Sequence, residues 1–257
     1  MRSIELLAPA KNADIGIEAI RHGADAVYIG ATSHGARAAA SNSVEDIERL
    51  VAFAHLYKAK VYVTVNTLVF EEEMQKVEQL IWQLHDIHVD ALIVQDLRIL
   101  SLNLPPIPLH ASTQMDNRTV EKVQMLSTLG FRQVVLAREL TIEEIAEIHQ
   151  ECPETKLEVF VHGALCVCLS GRCNASEALF GRSANRGECA QVCRMAFDLL
   201  ADGKTVMKEK HLLSLKDNCQ MDRLEDLLRA GASSLKIEGR LKDADYVKNV
   251  TGKMRIM

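Results

Sequence analysis

The chain has 257 residues, of which 48% are hydrophobic and 25% charged, and its net charge is −5. This composition is ordinary for a globular protein, and no apolar run approaches the roughly 20 residues that a membrane-spanning helix needs. The net acidity argues against simple non-specific binding to nucleic acid. Because the N-terminus, MRSIELLAPAK, lacks a signal-peptide pattern, we expect a cytoplasmic protein with reduced thiols and no membrane partner.

Short apolar runs alternate with amphipathic stretches along the chain. The apolar runs predict seven strands, at 4–10, 24–30, 60–67, 91–96, 107–113, 132–139 and 157–163, and an eighth at 233–239. The amphipathic stretches predict helices at 13–23, 43–57, 71–88, 117–130, from 141 onward, 222–230 and 241–250. Ser43 and Thr141 each begin a capping-box-like helix start.

This alternation of strands and helices is typical of an α/β fold with a parallel sheet. Eight strand–helix units in a chain of this length favour one (β/α)8 TIM-like barrel over residues 1–257. Between strands seven and eight lies a cysteine-rich insertion, 164–232, in which we expect a hairpin that turns at Asp202–Gly203. Periodicity does not show closure, so a doubly wound open sheet is the alternative.

The barrel places the expected active site at the C-terminal ends of its strands. Those ends are rich in polar residues, where a buried strand would favour apolar ones. The insertion leaves from strand seven, so we expect it to fold over the same mouth. The strand-end set comprises Pro9, Tyr28, Asn66, Asp96, His110, Ser112, Arg138, Glu139, His162, Glu238 and Arg240.

Five of the seven cysteines lie between residues 158 and 193, and Cys219 follows. Thiolates are soft ligands that select Zn²⁺, Cu(I) or iron–sulfur clusters. Only Cys189 and Cys193 show the close spacing of a structural zinc site, and the others come singly, which suits a cluster gathered from several loops. Zinc is the alternative metal. For Cys152 and Cys168, a buried apolar thiol is the better interpretation.

A long motif carries a family resemblance. Residues 158–173, with the pattern E-x-F-x₂-G-A-L-C-x₄-G-x-C, resemble the signature of the peptidase U32 family. GRSANRGECAQVCR, SLKDNC and SLKIEGR resemble the segments that follow that signature, and ELLAPA, GADAVYIGA, VNT and HASTQ are also similar. The resemblance covers residue 4 to about residue 250.

The resemblance implies an oxygen-independent hydroxylase that carries a [4Fe–4S] cluster and uses prephenate as oxygen donor. Members of this kind act on a 23S rRNA cytidine, on the tRNA wobble uridine or on a ubiquinone precursor. SVEDI and FGRSANRGECAQ resemble the 23S rRNA branch most, so rRNA is the expected partner and tRNA the second. The family's ligands map onto Cys166, Cys173, Cys189 and Cys219, with Cys193 in reserve.

Basic strand-end residues are the expected binding groups for a dicarboxylate such as prephenate. They are His110, Arg138, Lys236 and Arg240, and arginine forks match carboxylate geometry. The bland alternative is that each pairs with an acid such as Glu139 or Glu238. We expect catalytic roles for His162, as an orienting or substrate-contacting group, and for Asp96 and Glu139, as proton carriers.

Two other functions remain open. A collagenase-like peptidase would need a nucleophile, and the sequence offers only a conceivable Cys166–His162 dyad, without a His-Glu-x-x-His or Gly-x-Ser-x-Gly motif. A non-catalytic, metal-braced RNA-binding module is disfavoured by the net acidity and by an aromatic content of 4%. Many relatives continue into a C-terminal β-rich domain, and we expect that domain to be absent here, through a short form or a truncation near Thr251.

Overall fold

The structure is a computed structural model that describes residues 4–31 and 42–257. Its strands in chain order are β1 (Glu5–Ala10), β2 (Ala26–Gly30), β3 (Lys60–Val65), β4 (Ala91–Val94), β5 (Leu109–Ala111), β6 (Gln133–Val135), β7 (Lys156–Gly163), β8 (Phe197–Ala201), β9 (Lys204–Lys210), β10 (Asn218–Cys219) and β11 (Ala232–Ile237). Strands β1 to β7 pair in sequence order, and β11 joins β7 to β1. All these pairs are parallel, so the eight-stranded barrel is closed, as predicted, and the open sheet is excluded.

The helices pack outside the barrel or belong to the insertion. They are α1 (Ala13–Arg21), α2 (Val44–Leu56), α3 (Met74–Asp86), α4 (Val120–Thr128), α5 (Ile142–Glu151), α6 (Ala175–Phe180), α7 (Leu224–Arg229) and α8 (Ala244–Arg255). The predicted capping box forms at Thr141, whose hydroxyl accepts from the Glu144 amide while the Glu144 carboxylate accepts from the Thr141 amide. Within the described ranges, no helix is long and apolar enough to cross a membrane.

Two layers of side chains hold the barrel. Outside the strands, aliphatic residues of the helices, such as Leu50, Ile81 and Leu126, are fully buried in a core that they share with the strands. Inside the barrel lies a smaller apolar cluster that includes the rings of Tyr28 and Tyr62. Because side chains fill the barrel interior, a ligand can bind only above it, at the C-terminal ends of the strands.

A buried ion pair links the neighbouring strands β7 and β11 inside the barrel. The Lys236 ammonium donates to Glu158 Oε1 at 2.6 Å, and the Gln133 amide donates to Glu158 Oε2 at 2.6 Å. Both members of the pair are at least 95% buried. The carboxylate therefore has a partner on each oxygen, which is the condition under which a buried charge is tolerated.

Residues 164–231 connect β7 to β11 and form the insertion, one residue shorter than the predicted 164–232. Strands β8 and β9 make an antiparallel hairpin, and the turn residues Asp202 and Gly203 have φ of 50° and 75°. Two positive φ values are what a type I′ turn requires, which confirms the predicted turn position. Farther along, β10 pairs antiparallel with the end of β7 and places Cys219 opposite His162.

Candidate active site at the barrel mouth

A pocket of about 410 Å³ opens at the C-terminal ends of the strands, and we call it the mouth pocket. Its walls combine aromatic and aliphatic side chains with amides, hydroxyls and three cations. The lining residues are Tyr28, Thr64, Asn66, Ile93, Ser112, Thr113, Gln114, Val135, Arg138, Phe160, Lys236, Glu238 and Arg240. The pocket thus brings together three of the residues predicted to bind substrate, Arg138, Lys236 and Arg240. One carboxylate, that of Glu238, also lines it.

Each cation is held by neighbours that leave it buried. Arg240 donates to the Thr64 hydroxyl at 2.6 Å and is 6% exposed. Lys236 lies 4.2 Å from the centre of the Tyr28 ring, in addition to its bond with Glu158. Lys236 and Arg138 are paired with the carboxylates of Glu158 and Glu238, so the three cations exceed these two carboxylates by one charge. An anion in the pocket would therefore meet a small net positive charge.

Arg138 has the most varied surroundings of the three cations. It donates to Glu238 Oε2 at 2.6 Å, and its guanidinium lies 4.1 Å from the centre of the Phe160 ring. Burial opposes its charge, but the charges of Glu238 and Cys166 outweigh burial and raise the pKa of Arg138. Its Nε is buried and has no hydrogen-bond partner in the described part of the protein.

His110 does not line the mouth pocket, in contrast to the expectation from sequence. Its ring packs edge-to-face on Tyr62, with 4.7 Å between the ring centres, and its Nδ1 has no hydrogen-bond partner among the described residues. Burial, and then the Lys236 charge, lower the pKa of His110 from 6.5 to about 3. His110 is therefore a neutral group of the barrel interior, which cannot attract an anion by charge.

The pKa of His110 predicts a pH-dependent stability. Below pH 6.5 the unfolded chain binds a proton at this site and the folded protein does not, until pH approaches 3. As pH is lowered from 6.5 towards 3, His110 should reduce the free energy of unfolding by about 1.4 kcal/mol per pH unit. His110→Phe, which keeps a ring against Tyr62, should remove that slope. Urea unfolding at pH 6.5 and pH 5 should show wild type losing about 2 kcal/mol more than the variant, and parallel losses would contradict this.

The three residues expected to be catalytic make contacts that hold the rim. Asp96 accepts from the Val69 amide at 3.0 Å and from the Arg98 side chain at 2.7 Å. Burial opposes ionisation of Asp96, but these hydrogen bonds outweigh it and lower its pKa. Glu139 accepts from the amide and the hydroxyl of Ser170, both at 3.0 Å. Neither carboxylate lines the mouth pocket.

His162 also lies away from the pocket lining. Its Nδ1 is 2.9 Å from the Tyr246 hydroxyl, which donates in turn to the Glu238 carbonyl at 3.1 Å. Burial is the main cause that lowers the pKa of His162 below 6.5. His162 thus connects the end of β7 with helix α8 and the loop after β11.

A second cavity, the cysteine pocket, lies within the insertion, and its volume, including space open to solvent, is about 960 Å³. Among the residues that line it are five thiols: Cys166, Cys168, Cys173, Cys189 and Cys193. Cys219, the fourth ligand expected from the resemblance, is exposed on β10 and is not among the lining residues. Gln114 and Arg138 line both pockets, so the two cavities share a wall.

The donor set of the cysteine pocket suits a soft metal centre. Apart from thiols, the walls are largely aliphatic, and the Gln191 amide donates to the Cys189 sulfur at 3.4 Å, as amides do to cluster-ligating sulfurs. Burial, and then the neighbouring Cys173, raise the pKa of Cys168, which lowers the fraction of this thiol that is ionised. Among the described side chains, no three Cys, His, Asp or Glu already meet in a metal-binding arrangement, so the thiols surround the cavity without converging.

Three polar contacts fasten the insertion across the mouth. Ser170 bonds Glu139 after β6, and Arg172 donates to Asp116 after β5 at 2.5 Å. On the far side, Arg186 makes a two-pronged contact with Glu73, with distances of 2.7 and 2.9 Å. The insertion therefore bridges from the β5–β6 side of the barrel to the loop after β3.

Gly171 lies at the closest approach of the insertion to the barrel. Its φ is +76°, and a β-carbon there would collide with the Gln114 carbonyl, whereas Gly181, with φ of +63°, has open space around it. Alanine should cost about 1–2 kcal/mol at either position from backbone strain, and the collision should add about 1–3 kcal/mol at Gly171 alone. We therefore expect Gly171→Ala to be the less stable of the two variants in urea unfolding. Equal stabilities would contradict the close packing.

Several lining residues were not identified as functional from the sequence. Phe160, Thr113 and Gln114 appeared only as motif positions, and Thr64 carried no signal. Tyr28 was noted only as a strand-end residue, although it forms part of the pocket. Alternation along β3 would have pointed to Thr64, since it faces inward together with Tyr62.

The sequence resembles those of known proteins over nearly its whole length. The sequence profile of Peptidase family U32 matches residues 11–257. The chain is 56% identical over 255 residues to the "23S rRNA 5-hydroxycytidine C2501 synthase" of Escherichia coli, which covers 99% of the chain and 39% of that protein. It is 37% identical over 262 residues to the "tRNA hydroxylation protein P1" of Bacillus subtilis, which covers 98% of the chain and 62% of that protein.

The fold is also found in a solved structure. "The Structure of the U32 Peptidase Mk0906" superposes with a TM-score of 0.59 at 14% identity, over 93% of this chain and 94% of that one. The chain thus spans less than two thirds of the length of both sequence relatives but matches nearly all of this structure. Because the family profile covers nearly the whole sequence, the chain belongs to peptidase family U32.

Proposed function

We propose that this chain is the barrel portion of an RNA hydroxylase that modifies a cytidine of 23S rRNA, with prephenate as oxygen donor and a [4Fe–4S] cluster as cofactor. The observation that carries the proposal is the wall shared by the two pockets, one lined by three cations and the other by five thiols. The names of the relatives, which refer to hydroxylation of rRNA and tRNA, support an RNA substrate. Cytoplasmic RNA is the partner that this substrate implies, with tRNA as the second candidate.

The mouth pocket suits a small dicarboxylate. Prephenate carries two carboxylates and a ring, and the pocket offers the forks of Arg138 and Arg240 together with the ring faces of Tyr28 and Phe160. Arginine forks bind carboxylates through paired hydrogen bonds, and burial strengthens such bonds by excluding water. Lys236, which is paired with Glu158, closes the lower wall of the pocket. In this proposal these residues bind and orient the co-substrate beside the cysteine pocket.

For the cluster, we propose Cys166, Cys173 and Cys189 as ligands, with the fourth supplied by Cys219 or Cys193. The resemblance favours Cys219, whereas the lining of the cysteine pocket favours Cys193. A bound cluster would supply one-electron chemistry beside the mouth pocket. Iron content of Cys193→Ser and Cys219→Ser should separate the two, since only loss of the true ligand should lower it.

Asp96, Glu139 and His162 have positioning roles in this proposal. Each is engaged with a loop or helix of the rim: Asp96 with the loop after β3, Glu139 with the insertion and His162 with α8. Proton transfer would then fall to groups within the mouth pocket, among which the Ser112 hydroxyl accepts from Asn66 at 3.1 Å.

The substrate is tested by mass spectrometry of 23S rRNA from a strain that lacks the gene. We expect hydroxycytidine to disappear, and to return with the wild-type gene but not with Cys173→Ala. The same strain's tRNA provides the comparison. Intact hydroxycytidine in the deletion strain would exclude this rRNA target, and a lost tRNA hydroxylation would assign the second candidate instead.

A further inference from the structure

The hairpin of β8 and β9 is the most exposed part of the insertion. Every residue from 198 to 217 is exposed, and in the described part of the chain the two strands pair only with each other. A two-stranded hairpin without packing partners is marginally stable in water. This hairpin, together with residues 211–216, therefore presents an unusual surface, which we call the arm.

The base of the arm is firmly attached beside the cysteine pocket. Arg194 donates to the Ser214 hydroxyl at 2.6 Å, to the Leu215 carbonyl at 2.8 Å and to the Leu165 carbonyl at 2.9 Å. Leu165 directly precedes Cys166, and Leu213 lines the cysteine pocket itself. The arm is thus oriented relative to the proposed active site, so that whatever binds the arm lies close to the mouth.

The arm carries four lysines against three acids, Asp198, Asp202 and Glu209, and none of these lysines forms an ion pair among the described residues. Its lysines are Lys204, Lys208, Lys210 and Lys216. The lysine ion pairs in the described ranges all involve other residues, namely Lys60, Lys236 and Lys248. Residues 164–216 hold eight Lys and Arg against five Asp and Glu, in a chain whose net charge is −5. Residues 164–216 therefore carry a net charge of +3, although the chain as a whole is net negative.

Charge complementarity identifies the occupant of the arm. Lysine is depleted from protein–protein interfaces, whereas it supplies much of the phosphate contact in nucleic-acid complexes. Two-stranded ribbons are also among the elements that bind nucleic acid. We propose that the arm binds the phosphate backbone of the RNA substrate and holds it over the mouth pocket. This inference rests on the proposed function for the identity of the RNA.

Two triple variants test the arm. Lys204→Gln/Lys208→Gln/Lys210→Gln removes three charges from it, and Lys58→Gln/Lys76→Gln/Lys156→Gln removes three exposed charges elsewhere. The dissociation constant for a transcribed 23S rRNA fragment is measured at several salt concentrations, on the full chain. We expect the arm variant to bind about tenfold more weakly, with a slope of log K against log salt that is smaller by about 2, since each lost contact to single-stranded RNA removes about 0.7. The control triple should match wild type.

The outcomes separate the arm from the proposed function, because binding and hydroxylation are measured independently. Equal RNA affinities and salt slopes for the two triple variants would overturn the proposal that the arm binds RNA, whether or not the RNA is hydroxylated. Weaker RNA binding by the arm variant, but not by the control, would support RNA binding by the arm even if no hydroxycytidine forms. Absence of hydroxycytidine would contradict the proposed function instead. Capture of a protein on the arm with unchanged RNA affinity would assign the surface to that protein and overturn the proposal. Unchanged circular dichroism shows that both triples fold.

Discussion

Replacing Arg138 with methionine should lower kcat/KM for prephenate-dependent RNA hydroxylation by about 100-fold or more, the loss expected when one partner of a buried charged hydrogen bond is removed. The variant loses the fork that faces both pockets, and it leaves the Glu238 carboxylate in the pocket wall without its Arg138 partner, where it repels an anion. The effect should appear largely in KM for prephenate. Steady-state rates with a transcribed rRNA fragment at varied prephenate concentrations measure it.

Two further variants make the Arg138 result specific. Arg138→Lys keeps the charge without the planar fork, so we expect an intermediate loss. Arg182→Met removes an exposed arginine of the insertion that lines neither pocket, and it should leave KM for prephenate unchanged. A KM for Arg138→Met within about twofold of wild type, too small for the loss of such a charged bond, would contradict prephenate binding in the mouth pocket.

Replacing Lys236 with methionine should destabilise the protein by about 3–5 kcal/mol, because it leaves the Glu158 charge buried without its cation. Glu158 is fully buried, and among the described side chains the Gln133 amide would be its one remaining hydrogen-bond donor. Adding Glu158→Gln should recover most of that loss, since the neutral amide can still accept from Gln133. Urea unfolding of the single and double variants measures both effects.

A matched lysine provides the control for Lys236. Lys60 lies 4.0 Å from Glu5 at the exposed start of β3, so Lys60→Met should change stability by less than about 1 kcal/mol. Equally small losses of stability in Lys236→Met and Lys60→Met would contradict a stabilising role for the buried Lys236–Glu158 ion pair.

The barrel could be predicted from the sequence because its signals are local. Apolar runs bounded by turns indicated the strands, and Thr141 and the Asp202–Gly203 turn follow rules that depend on neighbouring residues. Strand ends were less predictable. The predicted strand 107–113 shortens to β5, because Ser112 leaves the sheet to cap a short 3-10 turn with its hydroxyl. Side-chain competition of this kind ends a strand without changing its apolar pattern.

The candidate site could be predicted only in part, because strand-end position does not determine side-chain direction. Arg138, Lys236 and Arg240 do line the pocket. His162 does not, and the register of β7 and β11 is irregular between Lys236 and Ile237, where His162 pairs. Cys219 depends on the two-residue strand β10, which is too short to show a periodicity. Long-range contacts such as Arg186 with Glu73, which hold the insertion over the mouth, leave no trace in spacing.

Metal analysis of anaerobically purified protein tests the central claim, that the cysteine pocket holds an iron–sulfur cluster beside an anion pocket. We predict a brown protein with broad absorption near 400 nm and about four irons and four sulfides per chain, as a four-cysteine cluster requires. Cys173→Ala should lose both the colour and the iron. A colourless protein with about one zinc per chain, as in a four-cysteine structural site, would contradict the account.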